Sequence, residues 1–268
     1  MGAPARPASG VGLNKLLWRR IGLGTAGIVL TLVAWQWYST LSPYNVFVAS
    51  SPLRTWTTLS GMLADGDFWS KHVSASARGL ATGWGVAVLA GTAIGAVMGF
   101  SRGVRETLEP LLFAVNSVPR LALIPVLTLW LGYGQVYKTV VVVIAGLFPV
   151  LLNTMDGVRR ADSQLMRMSR SFGASRLQQL TTVALPGCVP TLFAGLRQSL
   201  AHSVVGVVGA EIWASAAGLG WLIANGELTV RTDAIIATVL VITAAGIALN
   251  EMLQRIEAQL TRWQRGRT

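Results

Sequence analysis

Charge is the scarcest property of this chain. Only 12% of its 268 residues are charged, against roughly 25% in an ordinary soluble domain. Hydrophobic residues make up 52% and the mean hydropathy is +0.54. So little charge in so long a chain argues against a soluble globule and predicts a polytopic membrane protein. Cysteine is nearly absent as well. Cys188 stands alone, which excludes an internal disulfide and a multi-cysteine metal site; it is read as a small apolar residue. There are two histidines, and no H-E-x-x-H, Cys-x-x-Cys or G-x-x-x-x-G-K-[ST] occurs. The chain thus lacks a phosphate cradle of that type. No catalytic residue, no metal and no cofactor of its own is expected.

Basic residues outnumber acidic ones, 22 to 11. The excess flanks apolar runs, as the positive-inside rule requires, and is not read as a nucleic-acid surface. After a Pro/Gly/Ala-rich tail (1–20), spans are expected at about 21–38, 80–100, 108–131, 137–156, 190–211 and 234–254. They form one membrane domain over 21–262, and 263–268 is a second tail. The run 21–38 is longer than the apolar core of a signal peptide, and no A-x-A site follows it closely. It is therefore read as a first membrane helix. Pro52 opens a short amphipathic helix ending near Asp65-Gly66, with Trp56 and Trp69 suited to an interface. Gly83, Ala87, Gly91, Gly95 and Gly99 recur every four residues. They lay a smooth stripe along one helix face where a second helix can approach. The segment AAGLGWLI (216–223) is predicted to be a short re-entrant or surface helix.

Arg6, Lys15, Arg19, Arg20, Arg102, Arg105, Arg159, Arg160, Arg167, Arg170, Arg176, Arg255, Arg262, Arg265 and Arg267 fall on one side of this topology. Arg54, Lys71, Lys138 and Arg231 fall on the other. The bias predicts both termini, and the loop 156–186, in the cytoplasm. Within that loop, Asp162 is placed to cap a helix over 163–172. Gly173 suits a left-handed break. A second helix is expected from about Ser175 to Ala184, stopping before Pro186. Leu165, Met168 and Phe172, then Leu177, Leu180 and Val183, give each half an apolar face. Two basic amphipathic helices with a glycine hinge suit a groove in a cytosolic partner.

The spacing of Gly173, nine further residues and then Val183-Ala184-Leu185-Pro186 resembles the cytoplasmic loop of bacterial ABC importer permeases, Glu-Ala-Ala-x3-Gly-x9-Ile-x-Leu-Pro. SVPRLALIPVLTLWLGYG (117–134), FPVLLNTMDGVR (148–159), ALPGCVPTLFAGLR (184–197) and AEIWASAAGLGWLI (210–223) extend the likeness from about Leu16 to Trp263. It is similar to the branch serving aliphatic sulfonates, taurine and nitrate. The resemblance implies an all-α fold with about six transmembrane helices, the type I ABC importer fold, in a bacterial inner membrane. It implies two ABC ATPase subunits holding ATP and magnesium, a periplasmic solute-binding protein and a second copy of this chain, all at the lipid bilayer. Coupling to the ATPase would fall on Arg167, Met168, Ser169, Arg170, Phe172, Gly173, Ala174, Leu177, Leu185 and Pro186. The family's Glu-Ala-Ala lies on Arg167-Met168-Ser169, so an acidic position is basic here, and a dedicated ATPase is expected.

Candidates for the pathway are Asn116, Ser117, Arg120, Asn153, Arg197, His202, Ser203 and Glu211. A mid-membrane arginine is costly enough to need a cavity or a partner, and its paired N–H donors suit an anion. Arg120 either lines the pathway or pairs with Glu106, Glu109 or a carbonyl. Arg197 either serves the pathway or only sits near the inner end, and His202 is a packing residue or a gate. Glu211 either holds a gate by a charge pair or is solvated. An ion-coupled secondary transporter without an ATPase is the rival class, although the spans offer few acids for an ion relay. A non-transporting scaffold is the other, and it leaves the docking loop unexplained.

Overall fold

The computed structural model describes residues 11–41 and 48–261; 1–10 and 262–268, with Arg6, Arg262, Arg265 and Arg267, lie outside them, and the second half of the expected tail 1–20 is instead the start of a helix. Among the described residues the chain is helical throughout, without a strand. Helix α1 (Val11–Thr40) is followed by α2 (Pro52–Ala64). Ser51 caps α2, accepting from the Arg54 backbone N–H, and the helix ends at Asp65, where the turn was expected. A π-helical turn (Phe68–Val73) leads into α3 (Ser74–Phe100). Helix α4 (Arg102–Asn116), a 3-10 turn (Arg120–Leu123) and α5 (Ile124–Leu131) come next, then α6 (Gln135–Arg159). Helices α7 (Ser163–Ser171) and α8 (Arg176–Gln179) precede α9 (Leu185–Gly187) and α10 (Val189–Ala214). Helices α11 (Leu219–Leu228) and α12 (Thr232–Leu260) complete the chain.

Three stretches, Phe68–Phe100, Gln135–Arg159 and Thr232–Leu260, are long and apolar enough to cross a bilayer. Two bent pairs pass the same test, Arg102–Asn116 with Arg120–Leu131 (77°) and Arg176–Gly187 with Val189–Ala214 (66°). Helix α1, with 30 residues, is about 45 Å long at 1.5 Å per residue, more than the ~30 Å of a hydrocarbon core.

Helix α6 is the hub. The small-residue stripe of α3 lies along it in parallel register. A methyl group at Gly83 would meet the Val142 side chain at 2.4 Å, one at Gly91 the Leu147 carbonyl at 3.0 Å, and one at Gly95 the Leu151 carbonyl at 2.5 Å. Backbone contacts this close leave room only for hydrogen. Helix α10 runs antiparallel on the other side of α6, where Gly195 faces Asn153 and Gly206 faces Ala145. The bundle therefore has two ends. One carries Phe68, Gln135, Ala214 and Thr232; the other carries Phe100, Arg159 and the α7–α9 loop.

One expectation is met and one corrected. Pro119 and Pro125 predict that the stretch 108–131 is a broken span, and the chain does break at Ser117–Pro119. Pro119 has no N–H to continue α4, and it drives Val118 out of the helical region. The second loop helix does not stop before Pro186. It loosens into a π-turn at Leu180–Ala184 and continues through Pro186 to Gly187. Pro186, without an N–H, adds no hydrogen bond of its own to this continued helix.

Candidate translocation and coupling sites

The break at 117–119 holds Arg120 against the middle of α6. Pro149, inside α6, cannot donate to the carbonyl four residues earlier, which belongs to Ala145. Arg120 Nη1 donates to that carbonyl at 3.2 Å, and Nη2 donates to Asn116 Oδ1. The guanidinium also lies 5.3 Å from the centre of the Phe148 ring, within cation–π range. One proline thus breaks a span, and a second exposes the carbonyl that receives its arginine. Of the alternatives, the carbonyl holds: Glu106 pairs with Arg102 at 2.7 Å. His202 on α10 is exposed. Asn116 and Arg120 form one half-open polar group at mid-depth. Ser117 is exposed beside them, its hydroxyl donating back to the Phe113 carbonyl at 2.9 Å.

The other pathway candidates lie elsewhere. Asn153 sits in the α6–α10 seam and donates to the Pro149 carbonyl at 2.8 Å. Ser203 is fully buried against Gly146, and its hydroxyl has no hydrogen bond among the described residues. Arg197 pairs with Glu257 of α12 near the loop end.

Glu211 belongs to a cluster at the opposite end. Its carboxylate is 0% exposed and accepts from Lys138 Nζ at 3.1 Å, Ser76 Oγ at 2.7 Å and the Gly220 backbone N–H at 3.0 Å. Ser76 Oγ accepts in turn from the Leu219 N–H at 2.8 Å, and Lys138 also donates to the Ala217 carbonyl at 3.1 Å. The Gly218 N–H lies 3.3 Å from His72 Nδ1. Gly218 has φ +132°, and a methyl group there would lie 2.2 Å from the Glu211 carboxyl carbon. These contacts fasten the turn before α11 to α3, α6 and α10. Lys138, counted above among the charges on the side opposite the loop, is 6% exposed, and Glu211 is paired rather than solvated. Ser76, Lys138 and the 217–220 turn were missed; the only signal was a lysine one turn into an apolar run.

At the loop end, Asp162 caps α7, accepting from the Gln164 and Leu165 N–H groups at 2.7 and 3.4 Å. Gly173 has φ +76° and ends it. Ser175 and Gln178 form a capping box for α8. Gln179, also unforeseen, is 5% exposed and ties the pair together. Its amide donates to the Ala174 carbonyl at 2.9 Å, and its oxygen accepts from Arg170 Nε at 3.3 Å. Ala184 and Cys188, with Leu180 and Leu185 beside them, brace the loop on Ala96 and Val158. Ser169, Ala174, Leu185 and Pro186 are half-buried in this brace, while Arg167, Arg170 and Gly173 are exposed. So are three apolar side chains: Met168 (54%), Phe172 (85%) and Leu177 (70%).

Residues 87–266 match the family described as the binding-protein-dependent transport system inner membrane component. The taurine transport system permease of Escherichia coli K12 is 31% identical over 93% of this chain and 94% of its own length. The riboflavin transport system permease of Chloroflexus aurantiacus is 32% identical, covering 94% and 93%. The bicarbonate transport system permease of Synechococcus elongatus is 30% identical, covering 94% and 93%.

Proposed function

We propose, for a chain that belongs to the binding-protein-dependent transport system inner membrane component family, a role as the pathway subunit for a small anionic solute, driven by an ATPase that seats on α7 and α8. The family is one of ABC importer permeases, multi-pass inner-membrane transport components without a catalytic site of their own. The chain is accordingly not an enzyme, and the ion-coupled alternative is set aside. Importers of this family work with an ATPase and a binding protein.

The exposure of Phe172, Leu177 and Met168 carries the coupling reading. Apolar side chains on a doubly capped, internally tied helix pair lose nothing by exposure only if a partner covers them. In this reading the loop end faces the cytoplasm, where the basic residues gather. ATPase closure draws the α7–α8 pairs of two copies together and rocks the spans braced on them, giving alternating access. Arg167, exposed on α7, selects an ATPase with a complementary acidic surface.

The anionic solute is inferred from Arg120. A guanidinium at a broken helix, at mid-depth, beside Asn116, presents donors to an oxyanion. Permeases of similar identity serve solutes as different as taurine, bicarbonate and riboflavin, so identity alone does not choose among them. ATP-driven uptake by the complete complex in proteoliposomes tests the reading. Phe172→Asp with Leu177→Asp should release the ATPase and abolish uptake, and Arg167→Glu should weaken assembly. Arg120→Met should leave the ATPase bound and reduce anion uptake at least tenfold. A complex that assembles and pumps normally with both loop substitutions refutes the coupling surface, and undiminished uptake with Arg120→Met refutes the anion site.

A further inference from the structure

A cavity of about 760 Å³ lies at the loop end, between the last turns of α3 and α6 and the α7–α8 pair. Four arginines from four separate segments line it: Arg102 after α3, Arg159 at the end of α6, Arg170 on α7 and Arg176 on α8. No carboxylate is among its lining residues. Arg102 reaches out to Glu106 and Arg170 touches Gln179. Among the described residues, Arg159, Arg170 and Arg176 have no ion pair. Positive-inside bias accounts for basic residues on this face, but not for their convergence on one concavity. Arg159, Arg170 and Arg176, all exposed, line one concavity whose wall offers them no carboxylate, an arrangement that favours an anion. Phe100 and Val158 add an apolar part to the lining. Those residues end two membrane-length helices, so the cavity opens at the depth where lipid headgroups lie.

We propose that this cavity binds the phosphate group of an anionic phospholipid. The arginines supply paired N–H donors to the phosphate oxygens, and the apolar part of the lining accepts the start of the acyl chains. The concavity is half open and larger than a lone phosphate ion needs. A bound headgroup bridges α7 and α8 to the ends of α3 and α6, which stiffens the loop against the spans.

Native mass spectrometry of the complete complex, offered equal amounts of phosphatidylglycerol and phosphatidylcholine, tests the proposal. Phosphatidylglycerol should be retained with at least tenfold preference. Arg159→Gln with Arg176→Gln should abolish the preference. Arg159→Lys with Arg176→Lys, which keeps the charge, should restore part of it and shows that the site still folds. Arg105→Gln with Arg160→Gln, outside the cavity on the same face, should leave it intact. Equal retention of both lipids overturns the site. Displacement of the lipid by millimolar inorganic phosphate would assign the cavity to a free ion and overturn the lipid. Loss of the lipid whenever the ATPase is bound would make the ATPase the occupant and overturn it equally.

Discussion

Glu211→Gln is the substitution from which most is learned. It keeps the shape of the side chain and removes one charge from a pair that is 0% exposed on the acid and 8% on the lysine. At 3.1 Å and an effective dielectric constant near 20, the attraction between the two charges is about 5 kcal/mol. Removing one partner of a buried pair typically costs 3–5 kcal/mol, because the other charge is left without compensation. Lys138 would keep only neutral acceptors, the Ala217 carbonyl and the new amide oxygen. Glu211→Gln and Lys138→Met should each destabilise the chain by about 3–5 kcal/mol, and the double substitution should cost far less than their sum. The buried thiol of Cys188, 1% exposed, supplies the assay, since a thiol-reactive dye reports its appearance on heating in detergent. Single variants that melt within about 1 kcal/mol of the parent, or a double variant whose loss equals the sum, would refute a coupled buried pair. A melt lowered in both singles and largely recovered in the double, with uptake altered in every case, would mark the pair as the clasp holding the α11 turn.

Gly95→Ala should destabilise by about 1–3 kcal/mol through overpacking, since its methyl group would lie 2.5 Å from the Leu151 carbonyl. Gly85→Ala, with nothing within 4 Å, should be neutral or stabilising by about 0.5–1 kcal/mol; equal melts for the two would show that the stripe does not set the α3–α6 distance. Reversing Arg197 alone, Arg197→Glu, should lower the same melt by setting it against Glu257. Adding Glu257→Arg should raise it again, and failure to do so would dissolve that pair.

The amino-acid sequence alone determined what depends on neighbours in the chain. Apolar runs set the spans. A four-residue small stripe announced the α3 packing face. Asp162 and Gly173 marked the start and end of α7, because caps and left-handed turns are decided within a few residues. Pro119 announced a break, but not its 77° bend. The tertiary structure alone decided the pairings. Lys138 and Glu211 are 73 residues apart, and nothing local distinguishes a lysine at a helix start that meets water from one that meets a carboxylate. Arg120 reaches a carbonyl 25 residues away that is free only because Pro149 follows four residues later. Asn153 and Ser203 look like pathway residues by type, yet the rotation of α6 and α10 about their axes turns them into a seam. In an apolar bundle, which face of a helix is buried follows from how small residues let its neighbours approach. That choice is made between helices rather than within one, so it becomes legible only when they are packed together.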